Sequence, residues 1–225
     1  MDIHKPKAAH NWREFLVEIG TITCGILIAL GLEQAVEQVH WAHEAEAERQ
    51  ALRDEARANV TAIAFRVAED DCITRRLAEV GDAMRRQAKG EGFKPARPLE
   101  RPPIWIETTG SWDIAVSGQA LTHMSHKEKL AFSDAFDVYR AFNRERNAED
   151  VTWRRLSLMN HADLLGPADW AELHQAYAEA AETNNRMRTL TAYVMQHATL
   201  GQKPRRFVGD DAVKLEGFCK GVEAR

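Results

Sequence analysis

A chain of 225 residues, 44% hydrophobic and 28% charged, has room for one globular domain with an appendage, and a polar-patterned part of roughly 180 residues can bury a core. Its formal net charge of −4 and pI near 6.2, with no basic stripe carrying interleaved aromatics, leave no nucleic-acid footprint. No Gly-rich phosphate loop, nucleophile elbow, Cys-x-x-Cys pair or serine-base constellation occurs, so the sequence assigns no catalytic residue and implies no cofactor.

The first element is set by EIGTITCGILIALGLEQ, residues 18–34. Its uncharged run, 19–32, is short for a bilayer span, but apolar residues continue past Glu18 and Glu33 to give a segment 15–36. As a helix that segment reaches roughly 32 Å, the hydrocarbon thickness of a bilayer. Trp12 and Trp41 stand roughly 43 Å apart on the same helix, which places both at the headgroup interfaces that tryptophan favours. A cleaved signal with a site at Ala29-Leu30-Gly31 is disfavoured because Glu14 and Glu18 spoil the basic leader, and a buried core helix is the other alternative. The preferred reading is an uncleaved anchor in the inner membrane. Lys5, Lys7 and Arg13 then keep a short tail, 1–14, cytoplasmic and place the remainder outside. Cys24 falls within the membrane, leaving Cys72 and Cys219 either as a disulfide or as two unpaired small residues, the second being preferred. Thr21, Gly25 and Ala29, at i, i+4 and i+8, form a small-residue stripe that lets two helices approach closely and points to a homodimer, although such residues are also ordinary in any span.

Beyond the anchor the pattern predicts an all-α fold: the transmembrane helix continues into a long helix that packs in an antiparallel bundle over 37–200. From Glu33 to Lys89 there is no proline and a single glycine. Leu52, Ala56, Val60, Ile63 and Val67, then Ile73, Leu77, Val80 and Met84, form one apolar stripe that changes register near Asp70-Asp71. Arg85, Arg86 and Lys89 suit a helix C-terminus with Gly90 as the stop. The segment 90–103, GEGFKPARPLERPP, is the one clear linker. A short extended piece at Ile104-Trp105-Ile106 precedes a helix that Ser111 would cap. Ser125 and Glu128 form a capping box ahead of an apolar face of Leu130, Phe132, Phe136, Tyr139 and Phe142. A separate helical stretch covers 151–165, and Pro167 suits the first position of a last helix. There Trp170, Leu173, Tyr177, Ala180, Asn184, Met187, Thr191 and Val194 step as heptads toward Gly201. Residues 201–225 read as a loosely packed tail with a short helix over 213–218.

Residues 11–55, NWREFLVEIGTITCGILIALGLEQAVEQVHWAHEAEAERQALRDE, and 111–121, SWDIAVSGQAL, carry a resemblance. The first is similar to the start of a group of uncharacterised single-pass bacterial membrane proteins, with W-R-E-F-L-x-E-I, an apolar G-x-L-I-A-L run and E-x-x-x-E-x-x-H leading into a charged helix. The second resembles another short block of that group. The resemblance covers about a quarter of the chain and implies a membrane-anchored helical protein; it brings no catalytic residues.

His40, His43 and Glu44 share one helix face just beyond the anchor, a spacing that can hold a divalent metal, but the order His-x-x-His-Glu matches neither zinc-protease signature and solvated side chains are the preferred reading. His123 and His126 straddle a helix junction and are weaker still as ligands. Trp105, Trp112 and Trp153, with Asp113, Arg154 and Arg155, would suit a pocket for an acidic ligand, against the commoner role of tryptophan as a core anchor. Two functions follow: a non-enzymatic envelope scaffold or module for an unknown protein partner or ligand, and a helical enzyme with its site around Trp105, Trp112, Asp113 and Trp153. An open pocket gathering several titratable groups would favour the enzyme.

Overall fold

The computed structural model describes residues 11–95 and 97–220, so the expected role of Lys5 and Lys7 falls outside the described residues. The described residues are helical, without strands: α1 (Trp12–Ala88), α2 (Gly110–Ser117), α3 (His126–Leu156), α4 (Pro167–His197) and α5 (Asp210–Cys219), with 3-10 turns at Ala120–His123 and Ser157–Leu164. Two units are distinguished, one ending at Ala47 and one beginning at Glu48.

From Trp12 onward the first unit is a single helix. Residues 12–40 are all exposed, including Ile22, Leu27, Ile28, Leu30, Leu32 and Val36. A core helix of a folded domain would be mostly buried. This segment is long and apolar enough to cross a membrane, and none of its most apolar window is covered. Thr21 turns its hydroxyl onto the Val17 carbonyl at 2.8 Å, so the small-residue face carries no unsatisfied donor.

The second unit is a bundle of the part of α1 that follows Ala47 with α3 and α4. Gly81 of α1 faces Tyr177, Thr74 bonds Asn184, and Arg57 bonds Gln202 just past α4, so α1 and α4 run antiparallel. Glu145 with Arg186 and Arg155 with Glu179 give the same sense to α3 and α4. The pairs Arg49–Glu128 and Arg66–Glu149 show that α1 and α3 run parallel. A parallel pair needs a return crossing, and residues 89–109 supply it. Four prolines leave this segment poor in backbone partners. Side chains provide them instead: Arg76 donates to the carbonyls of Arg97 and Pro98, Asn160 pairs both ways with Leu99, Asn143 donates to the Glu107 carbonyl, and Asn59 pairs both ways with Thr108.

One core cluster gathers Cys72, Ile73, Leu77, Val80, Met84, Trp153, Leu156, Leu173 and Phe218. Leu52, Val60, Ile63, Phe132, Phe136, Tyr139, Phe142 and Val194 are buried as well. Most of the α1 stripe is buried as expected, but Val67 is exposed, and so is Leu130 of the α3 face. The heptad positions of α4 from Leu173 to Val194 are buried apart from half-buried Tyr177. The Ser125–Glu128 box closes in both directions, and Pro167 occupies the first turn of α4. Four expectations are corrected. No helix begins separately at 151, because α3 continues unbroken to Leu156. Ser111 does not cap α2; its N–H donates to Glu55 of α1, which also accepts from the Thr108 hydroxyl. The tail is not loose over its described part, because Phe218 is buried, Phe207 packs edge-on against Phe65, and Cys219 is bonded to Cys72. The same bond corrects the preference for unpaired cysteines.

Candidate functional site

Where the α1 stripe changes register, the core is polar. Arg66 and Glu69 of α1 are 1% and 0% exposed, and Arg146 and Glu149 of α3 are 3% and 2% exposed. Arg66 grips Glu149 with two hydrogen bonds, Nε to Oε2 at 3.1 Å and Nη2 to Oε1 at 2.8 Å, and also donates to Asn184 at 2.7 Å. Its remaining nitrogen meets Asp70, which Arg188 holds from the rim at 2.8 Å. Arg146 serves three acceptors: Glu149 at 2.5 Å, Glu69 at 3.1 Å, and the Pro103 carbonyl of the return segment.

The cluster is not fully satisfied. Oε1 of Glu69 has no hydrogen-bond partner, and neither oxygen of Glu107 has one, although Glu107 is only 3% exposed. Its own backbone N–H and the Arg146 charge act on Glu107, but neither gives it an aligned hydrogen bond. Burial therefore dominates both groups. It pushes Glu69 up to about 7 against the pull of Arg146 and Arg66, and pushes Glu107 up to about 7 against the weaker help it receives. For Arg146, burial pulls downward, and the facing Glu149 and Glu69 outweigh it to hold the guanidinium above its ordinary range. Two buried arginines thus face three buried glutamates, and the arrangement can bind protons near neutral pH.

The residues singled out in the sequence lie elsewhere. His40, His43 and Glu44 are exposed on α1, with the His40 ring against Trp41; among the described residues no three His, Cys, Asp or Glu side chains gather as for a metal. His123 and His126 are exposed at the η-turn and the start of α3. The three tryptophans go to three places. Trp105 packs on Phe65, Trp112 stacks on Phe136, and Trp153 sits in the core near Cys72. Asp113 pairs with Arg140, Arg154 with Asp150, and Arg155 with Glu179, so these charges are engaged outside any shared pocket. A cleft of about 370 Å³ is lined by Arg155, Leu158, Asp169 and Glu172, and a groove of about 560 Å³ runs between α3 and α4 past Arg144, Leu190 and Tyr193. Neither is lined by the buried glutamates. Sequence reasoning missed Arg66, Glu69, Glu107, Arg146 and Glu149; the register change at Asp70-Asp71 was the one signal pointing there.

Compared with family models, with curated proteins and with solved structures, the chain matches none.

Proposed function

We propose that this is a single-pass inner-membrane protein whose helical domain lies outside the cytoplasm, where it acts without catalysis as a scaffold or as a module for a protein partner or small ligand. The observation that carries the reading is the Cys72–Cys219 pair in a domain that follows a wholly exposed apolar segment. Disulfides persist in oxidising spaces, so the pair supports export, in agreement with Arg13 on the N-terminal flank of the apolar segment. The buried glutamates line neither cleft, and the titratable groups that do line the smaller one, Arg155, Asp169 and Glu172, are exposed at the surface with Arg155 paired to Glu179, which supports a scaffold or binding role over catalysis. A C-terminal alkaline phosphatase fusion should be active and a fluorescent fusion exported by the general route should be dark, with the full-length chain retained through carbonate washing. The reverse pair of signals overturns the sidedness, and release of a species beginning near Leu32 overturns the anchor.

Self-association through Thr21, Gly25 and Ala29 belongs to the same reading. A Cβ added at Gly25 meets nothing within 4 Å in the single chain, so the face is open to a neighbouring helix. In crosslinking, Gly25→Leu should lower dimer yield several-fold and Ile26→Leu should not. Equal yields would remove the anchor as the dimer contact.

A further inference from the structure

The hydrogen bonds around the buried cluster show what it lacks. Glu149 is held by both Arg66 and Arg146, and rim residue Asp70 is held by Arg66 and Arg188. Glu69 has only a share of Arg146, and Glu107 has no hydrogen-bonding partner for its carboxyl. One has an empty oxygen and the other has two, in places where a charge without hydrogen bonds is costly. A proton on each carboxyl removes that cost.

The two carboxyls differ in what they can do when ionised. Glu69 sits in the middle of α1 and can improve its pairing only by drawing on Arg146. Arg146 also holds the Pro103 carbonyl, so the return segment competes with Glu69 for one guanidinium. Glu107 lies on the return segment itself, outside any helix, and reaches water by moving outward. Its neighbours on that route are Asn143, on its carbonyl, and the Asn59–Thr108 pair one residue further. Both ionisations therefore act on residues 103–109.

We propose that Glu69 and Glu107 form a two-carboxyl proton-binding site, and that loss of its protons loosens the return segment 103–109 from the face between α1 and α3. The charged groups around that segment are Glu55, Arg66 and Glu69 from α1, Arg146, Glu149 and Asp150 from α3, Arg101 within the return, and Lys214 of α5 over the Trp105 ring at 5.6 Å. None of these gives Glu107 an aligned hydrogen bond. Displacement of both carboxyls from their ordinary range toward neutrality, by burial, agrees with the geometry. The signal would be the extracytoplasmic pH if the domain is exported, but the proton site itself stands whichever side the domain occupies.

Hydrogen exchange on the full-length chain in lipid nanodiscs tests this, with rates corrected for intrinsic pH dependence. Between pH 5.5 and 8.5, protection of the amides at 104–109 should fall at least tenfold while that of 173–180 in α4 holds. Glutamine copies the shape of a protonated carboxyl, so a Glu69→Gln/Glu107→Gln chain should fold and keep the return segment protected at pH 8.5. Glu107→Gln alone should remove part of the change. Unchanged protection in the wild-type chain overturns the proposal. So does an undiminished pH response in the double variant, and so does failure of that variant to fold, because neutral side chains would then be intolerable where neutral carboxyls are claimed.

Discussion

At the scale of the residue, Glu69 and Glu107 tie stability to pH in a direction unusual for carboxyls. Each has its folded value raised from 4.5 to about 7, so the folded chain keeps protons that the unfolded chain gives up across that interval. The folded state then binds more protons, and its stability falls as pH rises. The contribution is complete below about 4.5, declines through the window and is lost above about 7. At about 1.4 kcal/mol per pH unit, each group is worth up to about 3 kcal/mol. Calorimetry of Glu107→Gln against the wild-type chain should give equal stability near pH 4 and a variant more stable by about 1–3 kcal/mol near pH 8.5. A constant difference at both pH values would show that Glu107 binds its proton no more tightly in the folded chain than in the unfolded one. Arg146 behaves oppositely, because it holds Glu149, Glu69 and the Pro103 carbonyl together. Arg146→Ala should cost about 3–5 kcal/mol near neutral pH by leaving buried acceptors unpaired.

At the scale of the element, what was legible in the sequence is what local rules govern. The heptad steps of α4, the Ser125–Glu128 box and the stop at Gly90, whose φ is +81°, depend on residues within a few turns of one another. What was missed depends on distant partners. Apolar periodicity falls silent over NRERNAED, 143–150, and suggests a break, yet α3 continues there because Arg146 and Glu149 pack through ion pairs where other turns use apolar groups. The cap of α2 comes from Glu55, 56 residues earlier than Ser111, and no local pattern reveals it. The linker was recognised by its prolines and glycines. Its attachment to the helices was not, because that rests on Asn59, Asn143, Asn160, Arg76 and Arg146, each of which reads as an ordinary polar helix residue in its own window. Glu107 shares the difficulty: a lone carboxyl in a loop gives no sign that it will be sealed without a partner.

At the scale of the whole molecule, one covalent bond ties the end of the chain to its longest helix. Cys72 and Cys219 are 147 residues apart in sequence, with Cα atoms 5.3 Å apart, so the bond closes nearly the whole helical domain into a loop. The stabilisation expected of so long a loop is roughly 5 kcal/mol in the chain-entropy account, and measured disulfides more often contribute about 2–4 kcal/mol. Phe218 is buried beside the bond and Arg97 donates to the carbonyls of Phe218 and Lys220, so α5 keeps noncovalent holds of its own. Those holds are few beside the packing of α1, α3 and α4, so removing the bond should free α5 before it unfolds the bundle. In the Cys72→Ala/Cys219→Ala chain, limited proteolysis should cut first between 201 and 220, and the melting temperature should drop by roughly 5–15 °C. The same cysteines report where the domain resides. Trapped from intact cells with a maleimide polymer, an exported domain should label at Cys72 and Cys219 only after reduction. Labelling of both without reductant would place the domain in a reducing space and withdraw the support that the pair gives to export.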